Sequence, residues 1–273
     1  MEFIRNQILG GTSKDRQGEK LTYEFLSDFC NTFQGKRIPL NQQHDLVLNA
    51  IGYAENLRLE KIENVDNEWN LVGDLFVDRE NLEIAVGGFS ISGMEIIKQE
   101  HMPDFLLYIP HPYYNDSEFL ECLSESKTVN LGKWIKKNSA SDVWAIFATT
   151  VVFALTPVWN DLYKTVVAPK IKEFISKELP KLTKKGLGVQ HVQIVDYIGH
   201  EIEIRFIGEK GREDECYSSS TVRNSIKMVK VELDNSFSNS DPISRIVLCY
   251  DKTRNSYFIH RIERDSGHVE HYA

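Results

Sequence analysis

Between residues 51 and 109 the sequence is a succession of short segments in which apolar and polar residues alternate. Four such segments are IGYAENLRLEKIE, EWNLVGDLFVD, LEIAVGGFSISGMEII and DFLLYI, each bounded by Asn, Asp, Gly or Pro. Alternation with a period of two between turn-forming residues is typical of successive strands. Residues 22–33 instead carry four apolar side chains at helical spacing behind an N-capping Thr22. The N-terminal part is therefore predicted to be a strand-rich barrel or sandwich with one or two helices.

The central part of the chain contains an uncharged apolar run, residues 143–159, which is followed by a basic helical pattern up to residue 186. A bilayer span needs about 17 to 25 apolar residues, so this run reaches the lower limit. Trp144 and Trp159 stand where interfacial tryptophans would lie, and lysines flank both sides. The pattern predicts an apolar helix. It is either a single membrane span or a helix buried between domains or in a homo-oligomer contact.

Beyond residue 186, two pairs of strand-like segments flank a segment of helical character, which predicts a small α+β module. The fold class expected for the whole chain is therefore α+β. The predicted domains are a β-barrel-like domain over 1–130, the apolar helix with its basic linker over 131–186, and the module over 187–273.

Composition narrows the functional classes. The net charge of −8 argues against binding by phosphate neutralisation, so no nucleic-acid partner is expected. The four cysteines form no CxxC or Cys/His cluster, which predicts reduced thiols and neither a metal nor another cofactor. The first twenty residues lack an apolar core of signal-peptide length. We expect a cytoplasmic protein, or one anchored to a membrane through residues 143–159.

The residues with the clearest chemical potential are His44, Ser90 and Ser92. His44 lies in a polar segment, and an imidazole with an ordinary pKa of about 6.5 is a competent base at neutral pH. Ser90 and Ser92 are two apart on a predicted strand, so their side chains share one face. A hydroxyl nucleophile with a nearby base is the requirement of covalent acyl transfer. Nucleotide-binding, zincin and α/β-hydrolase motifs are absent from the sequence.

Four segments resemble, in sequence and in order, the phage prohead (capsid maturation) protease family, which is related in fold to the herpesvirus assemblin protease. They are GTSKDRQGEKLTYEFL, IPLNQQHDLVLNAIGYA, NLVGDLFVD and AVGGFSISGME, within about residues 5–110. The matching residues are Asp15, Gly18 and Glu19 of an N-terminal element, His44 followed by Ile51 and Gly52, and Ser90 with Ile91 on a strand.

The resemblance implies a serine endopeptidase in which His44 is the general base and Ser90 is the nucleophile. Its substrate would be a protein or peptide, including the chain itself. Where the family has Gly and Phe after Ser-Ile, this chain has Ser92 and Gly93, so either serine can supply the hydroxyl. The alternative is a noncatalytic interaction protein or membrane-tethered sensor on the same fold, of a bacterial regulatory or defence type.

The sequence does not assign the third member of the catalytic set to a single residue. The candidates are His111, His101 and Glu95. His111 is preferred because it stands between two prolines, which would hold it rigidly in an orienting role.

Overall fold

The alternating segments near the N-terminus form an antiparallel sheet. The computed structural model describes residues 1–14, 20–42, 45–81, 92–96, 105–124, 129–136, 144–151, 168–236 and 240–272. The chain divides into two compact units, the first mainly Met1–Gly93 and the second mainly Met94–Trp134 with Asp142–Arg264. Both strands and helices occur, so the α+β class is confirmed.

In its described ranges, the first unit contains a four-stranded sheet and one α-helix. The elements are β1 (Glu2–Gly11), α1 (Tyr23–Thr32), β2 (Ile38–Pro39), β3 (Gly52–Lys61) and β4 (Trp69–Val77). Helix α1 begins where predicted, because Thr22 Oγ1 accepts the backbone N–H of Phe25 at 3.1 Å. Leu26 of α1 packs with Leu71 and Leu75 of β4, and all three are fully buried.

Of the predicted barrel or sandwich, the barrel is not supported. Among the described strands the order is β1-β4-β3-β2, so β1 and β2 are the two edges of an open sheet. A barrel closes only when its two edge strands pair with each other. The two described residues of β2 pair with β3 instead. Alternation in the sequence predicted β3 and β4 of this sheet correctly, but it carries no information about whether a sheet closes.

The remaining strands form a nine-stranded mixed sheet in the order β13-β12-β11-β10-β9-β8-β6-β7-β5. They are β5 (Ser92–Ile96), β6 (Phe105–Pro110), β7 (Val129–Lys136), β8 (Trp144–Val151), β9 (Gly188–Tyr197), β10 (His200–Ile207), β11 (Ile243–Asp251), β12 (Ser256–Arg264) and β13 (Val269–His271). The helices are α2 (Ser117–Ser124), α3 (Ala168–Lys177), α4 (Leu179–Lys184), α5 (Glu213–Cys216) and α6 (Ser219–Ser236). The parallel pairs β6–β7, β8–β9 and β10–β11 are joined by segments that contain these helices, as parallel pairing requires.

The described part of the apolar run is a strand, so the predicted central apolar helix is wrong there. Trp144–Val151 is β8, which lies antiparallel to β6 and parallel to β9, and Ile146 is fully buried. A strand with neighbours on both sides in a mixed sheet is a continuous apolar run without alternation, which periodicity alone does not distinguish from a helix. Residues 152–159 lie outside the described residues. No helix in the described ranges is long and apolar enough to cross a membrane.

Helix α6 covers one face of the sheet. Val222, Ile226, Val229 and Leu233 recur at helical spacing and are almost wholly buried in the main hydrophobic core. The same core takes the alternate residues Ile202, Ile204 and Phe206 of β10. The residues between them on β10 therefore lie on the opposite face, where the side chains are charged.

Candidate functional site

Half of the predicted catalytic residues and their alternatives fall outside the described ranges. His44, Ser90 and His101 are in this group, while Ser92 is the first residue of β5, which also contains Glu95. His111 follows β6 and is half-buried, with its ring edge-on to Tyr114 at a centroid distance of 5.8 Å. The catalytic assignment of these residues stays a prediction.

The segment that contains His44 is held together at its two ends. Ile51 donates its backbone N–H to Leu40 O, and Leu40 donates its own to Gly52 O, both at 2.9 Å. Gln42 Nε2 donates to Asn49 O at 3.2 Å. These bonds bring the two ends of segment 41–50 to one place beside β2 and β3.

Gly52 fixes that place against β4. Its φ is 150°, and a Cβ added there would lie 1.9 Å from the carbonyl oxygen of Phe76. Ile51 is buried, and its carbonyl accepts the backbone N–H of Asp78 at 2.9 Å. Only glycine allows this approach, so the Ile-Gly pair has a steric reason in this chain.

A second candidate site is a set of charged residues on β10, β11 and β12, on the sheet face opposite α6. We call it the arginine–glutamate grid; its members are Glu203, Arg205, Arg245, Arg261 and Glu263. The strand register sets the five residues in two rows. One row is Glu203, Arg245 and Glu263, and the next is Arg205, Val247 and Arg261.

Arg245 is the centre of the first row. Its Nε and Nη2 donate to the two carboxylate oxygens of Glu203 at 2.9 and 3.1 Å, and its Nη1 donates to Glu263 Oε2 at 2.7 Å. Each arginine of the second row pairs with the glutamate on its own strand. Arg205 Nη2 lies 2.8 Å from Glu203 Oε1, and Arg261 Nη2 lies 2.7 Å from Glu263 Oε1.

The grid is not fully satisfied. Arg261 is 0% exposed, yet Nε, Nη1 and Nη2 have no partner with hydrogen-bond geometry among the described residues, and the same holds for Arg205 Nε. The short approach of Arg261 to Glu263 Oε1 is thus an ion pair without an aligned hydrogen bond. Three guanidinium groups face two carboxylates, which leaves one buried positive charge. Such a group is costly to bury.

The electrostatics of the grid shift the pKa values of its members. Burial by itself raises the pKa of Glu203, but Arg205 and Arg245 outweigh it and hold that pKa at about 2. Burial lowers the pKa of Arg261 and outweighs Glu263, which raises it. Glu203 is therefore ionised throughout the neutral range.

The depressed pKa of Glu203 predicts acid sensitivity. A carboxylate whose folded pKa is lowered adds stability above its unfolded pKa of about 4.3, and this stability is lost as the pH falls towards 2. We expect the difference in unfolding free energy between wild type and Glu203→Gln to narrow by roughly 3 kcal/mol between about pH 5 and pH 2. Calorimetric unfolding of both proteins across this range measures it. A difference that stays constant with pH contradicts the prediction.

A polar cavity of about 190 Å³ lies between the N-terminal half of α6 and the turn that joins β11 to β12. Its lining includes Thr221, Asn224 and Asn255, and none of its lining residues is charged. The cavity lies near the carboxyl ends of the parallel strands β10 and β11, where open α/β sheets commonly bind ligands.

Comparison with protein-family models, curated proteins and solved structures finds no match to this chain. Among the described residues, no group of three or more His, Cys, Asp or Glu is arranged to hold a metal ion. None of the four cysteines forms a disulfide.

The grid is not predicted by the sequence patterns. Alternation predicts the strands that carry it, but it does not predict the ion pairs between their charged side chains. The available signal was an opposite charge two residues away on the same strand, in Glu203 with Arg205 and in Arg261 with Glu263. Such pairs share a strand face, and they occur here on β10 and β12, the two strands on either side of β11.

Proposed function

We propose that the chain is a serine endopeptidase-like protein that acts on a protein or peptide, including itself. His44 takes the proton of the Ser90 hydroxyl, or of Ser92, as that oxygen attacks the peptide carbonyl. Backbone amides stabilise the oxyanion, and His44 gives its proton to the leaving amine as the C–N bond breaks. Water, activated by His44, then hydrolyses the acyl-enzyme. His111 is the proposed orienting residue. The proposal also places the protein in the cytosol.

The observation that carries this proposal is the anchoring of the segment around His44. Gly52 packs directly on the carbonyl of Phe76, and the adjoining backbone bonds fix both ends of segment 41–50. A general base must be held in position to be effective. The motif residues Ile51 and Gly52 thus supply the kind of support that a catalytic histidine needs.

Separate alanine substitutions of the two serines test the proposal. We expect fluorophosphonate labelling and self-cleavage to fall about 10³-fold or more when the nucleophile is removed, because the acyl-enzyme can no longer form. Loss with Ser90→Ala alone assigns Ser90, and loss with Ser92→Ala alone assigns Ser92. Ser124→Ala, at an exposed position on α2, is the matched control and should label like wild type.

Labelling that survives both substitutions, or that never occurs in wild type, contradicts the enzyme proposal. A noncatalytic sensor or interaction protein would then be favoured. The polar cavity beside α6 is the specific observation for that second candidate, because it offers hydroxyl and amide groups to a small ligand.

A further inference from the structure

We infer that the arginine–glutamate grid binds a singly charged oxyanion, a carboxylate or the monoanion of phosphate, between Arg205 and Arg261. This site lies on β10 to β12 and is independent of the proposed peptidase chemistry. It would make the C-terminal half of the chain a binding element for an anionic metabolite or an anionic group of a larger ligand.

The first step of the argument is position. Arg205 and Arg261 are aligned on either side of Val247 across three adjacent strands. Neighbouring strands are about 4.8 Å apart, so the two arginines stand about 10 Å apart at their Cα atoms. The side chain of Val247 has no polar atom, so the guanidinium groups of Arg205 and Arg261 are the hydrogen-bond donors of this row. Arg205 already interacts electrostatically with Glu263, two strands away.

The second step is hydrogen-bonding capacity. Within the grid, the atoms without an aligned hydrogen bond are four donors and one acceptor: Arg261 Nε, Nη1 and Nη2, Arg205 Nε, and Glu263 Oε1. The donors outnumber the acceptor, so the grid lacks acceptors. A ligand group that satisfies these donors has several acceptor lone pairs. Carboxylates and phosphates fit this description, and arginine binds both in a bidentate manner.

The third step is charge. The described members of the grid sum to one positive charge, which a singly charged anion neutralises. The nearby His271 does not add to this charge at neutral pH, because burial and the charges of Arg261 and His260 lower its pKa. Arg264, on the same strand as Arg261, is already paired with Glu270. A doubly charged or neutral ligand would leave a net charge in the buried site.

The test uses the full chain with sodium phosphate and sodium acetate, each at about 10 mM, against sodium chloride at the same ionic strength. Arg261 has no exposed area, so exchange requires local opening and samples are brought to equilibrium first. We expect at least one of the two oxyanions to raise Tm by about 3 °C or more and to slow amide hydrogen exchange in β10 to β12. The anion with the larger effect identifies the ligand chemistry.

Arg261→Met should abolish the oxyanion-dependent shift, and its phosphate affinity should fall about tenfold or more. Arg264→Met is the matched control, since Arg264 is a buried arginine on the same strand whose guanidinium is paired, and it should keep the shift. Ser90→Ala and Ser92→Ala should also keep it, which separates this inference from the peptidase proposal.

A wild-type Tm no higher in either oxyanion than in chloride overturns the inference, as does a shift that persists in Arg261→Met. If Arg261→Met fails to fold, the slowing of hydrogen exchange by the oxyanion in wild type decides whether the site exists. Protection confined to β10 to β12 supports the site, and protection that is uniform along the chain or absent overturns it.

Discussion

Replacing Gly52 by alanine is expected to destabilise the first unit by about 4 kcal/mol or more, enough to unfold it under ordinary conditions. The added methyl carbon would lie 1.9 Å from Phe76 O and 2.9 Å from Val77 Cα, so β3 and β4 would have to separate. Both contacts are with backbone atoms, which a rotamer change does not relieve. The φ of 150° adds strain for any residue with a Cβ.

Gly35→Ala is the matched control for this prediction. Gly35 also has a positive φ, 72°, but no atom lies within 4 Å of the position that its Cβ would take. Its cost should be about 1 kcal/mol, which is the backbone penalty alone. Hydrogen exchange of peptides that cover β3 and β4 measures both variants. If Gly52→Ala costs no more than Gly35→Ala, the close packing of Gly52 on β4 is refuted.

Glu263→Gln is expected to cost 3 to 5 kcal/mol, since that is the usual scale of losses when one partner of a buried ion pair is removed. Glu263 is only 4% exposed and is the one carboxylate within ion-pair distance of Arg261 among the described residues. Its neutralisation would leave two uncompensated positive charges in the grid. Local unfolding of β10 to β12, followed by hydrogen exchange, reports this loss without assuming that the two units unfold together.

The double variant Arg261→Met with Glu263→Gln separates charge imbalance from lost packing. Removing both charged partners returns the grid from two excess positive charges to the one it has in wild type, so the double variant should recover more than 1 kcal/mol relative to Glu263→Gln. A double variant that is as unstable as the sum of the two single variants would show that the pair is not coupled. In that case the destabilisation by Glu263→Gln would come from lost packing.

Local patterns predicted the elements that depend on local causes. Thr22 and the apolar spacing behind it were sufficient for α1, because capping and amphipathicity lie within one turn of the chain. Alternation likewise predicted β3, β4 and the strand pairs β9–β10 and β11–β12. These elements were accessible because the periodicity of the side chains reflects a single buried face.

Features that depend on distant partners were not predicted. The run around Ile146 became a strand because β6 and β9, which lie far from it in sequence, pair with both its edges. The grid was not predicted because it also depends on distant partners. Arg245 pairs with two glutamates only through the register of three strands. The catalytic assignment of His44 and Ser90 rests on the resemblance alone and stays a prediction.

The position of β8 has a consequence during synthesis. It pairs with β6, which precedes it in the chain, and with β9, which follows only after α3 and α4. A nascent chain that has completed β6 to β8 therefore carries an apolar strand with an unpaired edge, the type of surface that promotes aggregation. If translation pauses before β9 is complete, chaperones should bind to this strand. They should dissociate from it once residues 188–197 have emerged from the ribosome.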